Sequence, residues 1–349
     1  MRVLPLLLLA AVAWANDDLE ARIGAAEKAE EIRALRVEVD AIAEARPQDP
    51  RTATLLRRLS RAFRWHLNDD ETAVALLERA AAIPDTDLDV EECLVLGDAR
   101  LEERRYEAAR EWLARALAKG NAQGDDAFLL DDVRNSMGHT LEGLGRFEEA
   151  LGFHEAWRPQ TFCGNCNAAM EQPRRVSVDR CRYRVGLVEH ALRSLKEQFT
   201  DPSPLAGPAD EAFALYAEIC VREDRLKELR ETHGKLTPAL RDAYAPALAL
   251  AEAFAARDAH AVVRAVADDP VLDRGILAVA GRMLDDIGPK ATGPLVTAVE
   301  KGGPGAWMLA GYSHLHGALP ALRARLQEEG EDGRRYWLRW AIVRLEAVR

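Results

Sequence analysis

LGDARLEERRYEAAREWLARAL (residues 96–117) and MGHTLEGLGRFEEALGFHEAW (residues 137–157) lie over one another with Gly97 on Gly138, Tyr106 on Phe147 and Ala109 on Ala150, each pair 41 residues apart. A poorer third copy, LSRAFRWHLNDDETAVALLERAAAIP, precedes them from Leu59; it places Ala73, Leu77 and Ala80 on one helical face and stops at Pro84. The pattern predicts a helical hairpin used repeatedly. A small residue on the first helix lets the second come close, an aromatic after the turn fills the gap, and alanine on the second helix admits the next hairpin.

No segment alternates β-branched residues with period two, whereas apolar residues recur at three- and four-residue spacing along most of the chain. The expected fold class is all-α. Ile32, Leu35, Val39 and Ile42 form one stripe on a charged helix expected from Asp17 to Ala45, too short for a coiled-coil dimer and suited to packing on the next element.

The hairpin residues resemble the tetratricopeptide repeat family. The resemblance is carried by Gly138, Leu141, Gly145, Phe147 and Ala150, then by Gly97, Tyr106, Ala109 and Ala116, and covers residues 51–157, with degenerate pairs continuing to 265. It implies an α-α superhelix, a solenoid whose concave face binds peptides or proteins. The spacing exceeds the family's usual ~34 residues, and KGNAQGDDAFLLD (119–131) is expected to be a longer connector. The family's Lys/Asn carboxylate clamp is not matched, because Leu94, Asp98, Asp132 and His139 stand in its place. TDPSPLAGPADE (200–211) marks a break. Residues 284–302, 312–330 and 334–346, with Pro294 and Pro320 expected at helix starts, resemble HEAT-type repeats over 271–349. The expected organisation is a signal peptide (1–15), an amphipathic helix (16–50), a tetratricopeptide-like solenoid with a cysteine-bearing insert (51–200), degenerate pairs (201–270) and HEAT-like repeats (271–349).

Met1-Arg2, an apolar run from Val3 to Ala13 and the small residues of Ala13-Trp14-Ala15 ahead of Asn16-Asp17-Asp18 read as a cleavable secretory signal, so the chain is expected to be exported. No cysteine precedes Cys93, which excludes a lipid-bearing cysteine just after it. The signal's apolar core is too short for the ~20 residues that span a bilayer, and no later run reaches that length. A net charge of −11 without a basic face gives no footprint for nucleic acid.

Cys163 and Cys166 in TFCGNCNAAM (161–170) have the spacing of a redox dithiol, half a zinc site or a disulfide loop. A thioredoxin-like dithiol needs a strand before it and none is expected; a c-type haem needs histidine where Asn167 stands. Cys181 supplies a third thiol. Structural zinc on Cys163, Cys166 and Cys181, completed by His154 in preference to His190, and a disulfide from Cys163 or Cys166 to Cys181 both remain open. A bridge closing ~15 residues would contribute roughly 3 kcal/mol. Either would staple an irregular insert. Cys93 and Cys220 read as buried thiols. His314 and His316 read as a turn, Asp125-Asp126 and Asp131-Asp132 as helix-start and solvent charges, and Trp337 and Trp340 as core. Phosphate loop, nucleophile elbow and His-Glu-x-x-His are all missing from the sequence. The expected function is a non-catalytic interaction scaffold for a protein or peptide; the alternative is a thiol-disulfide oxidoreductase or zinc-responsive protein using the Cys163/Cys166 loop.

Overall fold

The computed structural model describes residues 18–123, 127–158, 164–202, 209–267 and 274–347. The expected signal segment, Cys163, Asp125-Asp126 and residues 203–208 of the proline-rich break lie outside it, as does the side chain of Cys166. Among the described residues every regular element is helical: α1 (18–25), α2 (Ala29–Ala45), α3 (Pro50–Leu67), α4 (Asp70–Ala81), α5 (Val90–Glu102), α6 (Tyr106–Gln123), α7 (Ala127–Gly143), α8 (Phe147–Ala156), α9 (Gly164–Arg184) and α10 (Val188–Thr200). There follow α11 (Asp210–Arg222), α12 (Leu226–Gly234), α13 (Pro238–Ala255), α14 (Ala259–Ala267), α15 (Arg274–Ile287), α16 (Thr292–Lys301), α17 (Pro304–Tyr312), α18 (Leu319–Glu328) and α19 (Asp332–Glu346). None of the described helices is long and apolar enough to cross a membrane.

The chain divides into two packed units, Met1–Ala99 with Glu111–Asp125 and Arg100–Arg110 with Asp126–Arg349. In the first, the helix expected over 17–45 is broken: residues 26–28 leave helical geometry and Lys28 takes extended dihedrals. Gly24, which costs about 1 kcal/mol in a helix relative to alanine, sits just before the break. Both pieces still turn their apolar stripe into one core, where Leu19, Ile23, Ile32, Leu35 and Val39 meet Leu55, Leu59 and Phe63 of α3. Ala73 and Ala80 of α4 are fully buried in register with this core. Within the same unit a Cβ on Gly97 would lie 2.7 Å from Leu113, which is the close approach the repeat pattern demands.

One turn recurs through the chain. Asn68, Arg104, Gly145, Gly186, Asp224 and Arg257 all take left-handed φ, from 52° to 88°. After five of them the next amide reaches back to the first helix: Arg105 to Arg100, Arg146 to Leu141, Leu187 to Arg182, Arg225 to Cys220 and Asp258 to Ala253, at 2.6–2.9 Å. This is the Schellman closure, which satisfies carbonyls that a helix end leaves without partners. At Asn68 the bond from Asp69 reaches Phe63, one residue further back. Five residues past each turn residue stands a fully buried side chain: Ala73, Ala109, Ala150, Ala191, Leu229 and Val262. Six hairpins therefore share one construction, α3/α4 through α13/α14 in consecutive pairs.

The connector expected at 119–131 is mostly helix. α6 runs for 18 residues and α7 for 17, so the extra length relative to a tetratricopeptide hairpin is taken up as helical turns.

In the second unit α7 packs on α8, α8 on α9, α9 on α10, α10 on α11 and α11 on α13. Their core centres on aromatic rings: Phe213 stacks on Tyr244 at 4.7 Å and Phe199 meets both edge-on. The Tyr244 hydroxyl, buried among them, accepts from the Ala209 amide at 3.0 Å and donates to the Phe199 carbonyl at 3.3 Å, so its polar cost is met. Beyond α14 the helices stack in alternation, α15 on α17 and α16 on α18, and α19 lies on α17 and α18. Pro320 is the second residue of α18, as expected; Pro294 is the third of α16, behind a 3-10 turn at Gly288–Ala291. Trp337 and Trp340 are half-buried against the core.

Within this unit the Arg104 turn also meets the C-terminal helices. The buried Arg104 guanidinium donates to the carbonyls of Ser313 (3.2 Å) and Tyr312 (2.9 Å), while Trp340 donates to Glu102 Oε2 at 3.0 Å. Replacing Arg104 by glycine relieves a left-handed strain of about 1 kcal/mol but removes two charge-assisted bonds of about 1.5–3 kcal/mol each. Arg104→Gly should therefore lower the urea midpoint, whereas a turn governed by backbone strain alone would raise it.

Candidate functional site

Helices α7, α9, α11 and α15 each set charged side chains on a face they share. Glu142, in the last turn of α7, is gripped by Arg180 of α9, with Nε 2.5 Å from Oε2 and Nη2 3.1 Å from Oε1. Arg180 also pairs with Glu211 of α11 at 3.6 Å. Two turns along α11, Glu218 receives Arg222 at 3.1 Å and Arg282 of α15 at 2.6 Å, and Arg222 reaches Asp286 at 2.6 Å. Asp285 accepts from the His314 amide at 2.6 Å and pairs with its ring Nδ1 at 2.5 Å. The result is a ladder of alternating charge over α7, α9, α11 and α15, buried at Glu218 and half-exposed at Asp286 and Arg282.

Burial works to raise the Glu142 carboxyl, but the Arg180 charge and hydrogen bonds from His139, His154 and Arg180 outweigh it and hold the group well below the usual carboxylate range. Glu218 is held down in the same way, burial being overcome by Arg282 and then Arg222. Burial tends to lower Arg180, and Glu142 more than compensates. These groups stay charged at any physiological pH.

His139, Glu142 and His154 bring two imidazoles and a carboxylate within 4.8 Å of one another, a donor set that would suit a divalent cation. Arg180 already occupies both Glu142 oxygens and places a positive charge beside them, which opposes a second cation. His154 serves packing instead: a Cβ on Gly138 would stand 2.5 Å from its Cε1, so the ring fills the notch that glycine leaves. It bonds Glu142 through Nε2 at 2.8 Å.

Burial pushes the His154 imidazole down, with the Glu142 hydrogen bond opposing. A lowered folded value means the unfolded chain binds the proton more tightly. Its contribution to stability is present above the unfolded value of about 6.5 and is lost as pH falls through the folded one. Thermal melts of wild type between pH 7.5 and 5 should show this loss, and His154→Gln should flatten that portion of the profile. An unchanged profile in the variant would assign the acid sensitivity elsewhere.

Cys93, Cys181 and Cys220 are free and buried, and burial pushes their thiols up to about 11, 12 and 12. At neutral pH they are protonated and poor nucleophiles. The zinc or disulfide set expected from Cys163, Cys166 and Cys181 falls mostly outside the described residues, and Cys181 is its one described side chain. His190 is exposed on α10 and does not share a helix with Cys181 on α9. His314 lies at the turn after α17, as expected. Arg180, Glu218 and Arg282 belong to no sequence motif, yet each stands six residues before a left-handed residue, Gly186, Asp224 and Gly288, and so they occupy equivalent positions.

No family model matches the chain, and no curated protein matches it. Among solved structures it is similar to a Rap protein complexed with competence and sporulation factor (11% identity, 91% of this chain and 79% of that one covered, TM-score 0.42). It is also similar to the apo form of the quorum sensor NprR from B. thuringiensis (11%, 92% and 83%, TM-score 0.45). A third is the Rap conjugation gene regulator of plasmid pLS20 in complex with the Phr* peptide (11%, 85% and 75%, TM-score 0.40). At such identities and overlaps nothing about ligand or site passes from these proteins to this chain.

Proposed function

We propose that the chain is an exported, non-catalytic helical-repeat scaffold, tetratricopeptide-like at first and HEAT-like from α15 onward, which binds a peptide or protein along the first-helix face of α7, α9, α11 and α15. The observation that carries this reading is the charge ladder. Four first helices present donors and acceptors in fixed alternation, each held by a neighbour. Such preorganised side chains lose little freedom on association, which is where much binding energy is otherwise spent. Arginine forks suit carboxylates and an extended backbone alike. The HEAT-like description is supported by the stacking of α15 on α17 and of α16 on α18 and by Pro320 at a helix start. Export is supported by the signal-like segment at 1–15.

Selection of a displayed random-peptide library against the purified chain tests the reading. Enriched peptides should bind in solution and lose at least tenfold in affinity to a Tyr183→Ala/Asp286→Lys variant, whose two sites lie half-exposed on this face. Failure of any peptide to enrich, or equal binding by the variant, would count against it.

A further inference from the structure

A groove of about 540 Å³ lies away from the ladder, between α14, α16 and the start of α17. Its size is that of a small-molecule site. Pro294, Ala298 and the Gly302-Gly303-Pro304-Gly305 turn give it an apolar and side-chain-poor wall, while His260, Arg264 and Lys301 stand along it. His260 and Arg264 are one helical turn apart on α14 and so share a face; Lys301 comes from the last turn of α16, which packs on α14. In a chain of net charge −11 whose arginines are otherwise extensively paired, these three groups have no ion-pair partner among the described residues. The turn is fixed from behind, where Arg334 donates to the Gly302 carbonyl at 2.9 Å.

We propose that this groove binds a small ligand bearing an oxyanion, a carboxylate or a phosphate, with a short apolar body. Arg264 offers a planar fork, Lys301 a mobile point charge and His260 a ring N–H. The glycine turn is closely packed, since a Cβ at Gly302 would stand 2.8 Å from the Arg325 guanidinium and one at Gly303 3.0 Å from the Ala267 carbonyl oxygen, so its contribution is a fixed backbone wall and not added space.

Calorimetric titration of the full chain at low ionic strength with inorganic phosphate, and in parallel with N-acetylglycine, tests this and separates the two sources of charge. Saturable binding of at least one probe is expected. It should weaken at least tenfold in Arg264→Gln/Lys301→Gln and in the groove-filling Thr297→Trp, and stay unchanged in Lys227→Gln on α12, an exposed cation that does not line the groove. All these sites are exposed or half-exposed, so the melting temperature should move little. The proposal is overturned if neither probe saturates, or if Thr297→Trp binds like wild type, which would reduce the effect to diffuse surface attraction.

Discussion

Replacing Gly281 by valine should cost about 3 kcal/mol or more and loosen α15 from α17. A Cβ at Gly281 would stand 2.7 Å from both the carbonyl carbon and oxygen of Tyr312. Those are backbone atoms, so no rotamer change relieves the overlap. The two helices must part, and overpacking a fixed interface costs typically 1–3 kcal/mol, more when the main chain has to move. Gly152→Ala is the matching control: it sits inside α8 with open space at its Cβ, and should gain roughly 0.5–1 kcal/mol from helix propensity. Denaturant unfolding of the two variants distinguishes close helix approach from a general intolerance of glycine replacement. A Gly281→Val protein as stable as wild type would mean that α15 and α17 are not in backbone contact.

The second large effect is expected at Glu142. Removing its carboxylate by Glu142→Ala leaves the Arg180 guanidinium with the Ser177 hydroxyl at 3.1 Å and Glu211 at 3.6 Å, and deprives the fully buried His154 of its Nε2 partner. Breaking one side of a buried ion pair costs about 3–5 kcal/mol, whereas exchanging both sides for apolar groups is often nearly neutral. Glu142→Leu/Arg180→Met should therefore be more stable than Glu142→Ala alone. Urea unfolding of the three proteins gives that ranking, and adding Glu142→Leu and Arg180→Met singly completes the cycle for the coupling. A loss below about 1 kcal/mol for Glu142→Ala would show that the ladder is held by solvent and not by its members, since exposed pairs contribute that little.

The parts of the fold that could be read from sequence were those with a local mark. Gly97, Gly138 and the alanines at 73, 109 and 150 announce helical hairpins because close approach needs small residues at fixed spacing, and they occupy the positions expected. Later hairpins keep the geometry and change the residues. Glycine supplies the left-handed turn only at 145 and 186, whereas Asn68, Arg104, Asp224 and Arg257 take the same φ without it, and the small buried residue becomes Leu229 and then Val262 in the last two hairpins. The backbone bond that closes the turn constrains dihedrals more than it constrains residue type, so the repeat blurs in letters while persisting in structure. The ladder was less visible still. Arg180 meets Glu142 across 38 residues and Arg282 meets Glu218 across 64. A charge on an amphipathic helix reads as solvated until the neighbouring helix is placed. The single helix expected over 17–45 failed for a different reason: its stripe reaches the core from either side of a break, so periodicity alone could not reveal the interruption at 26–28.

The central claim is that α7, α9, α11 and α15 offer one face for a partner. Amide hydrogen exchange with and without a library-selected peptide tests it most directly. Added protection is predicted at the exposed turns of α7, α9, α11 and α15, with α8, α10 and α12 unchanged. Protection confined to those second helices, with none on the first, would contradict the account.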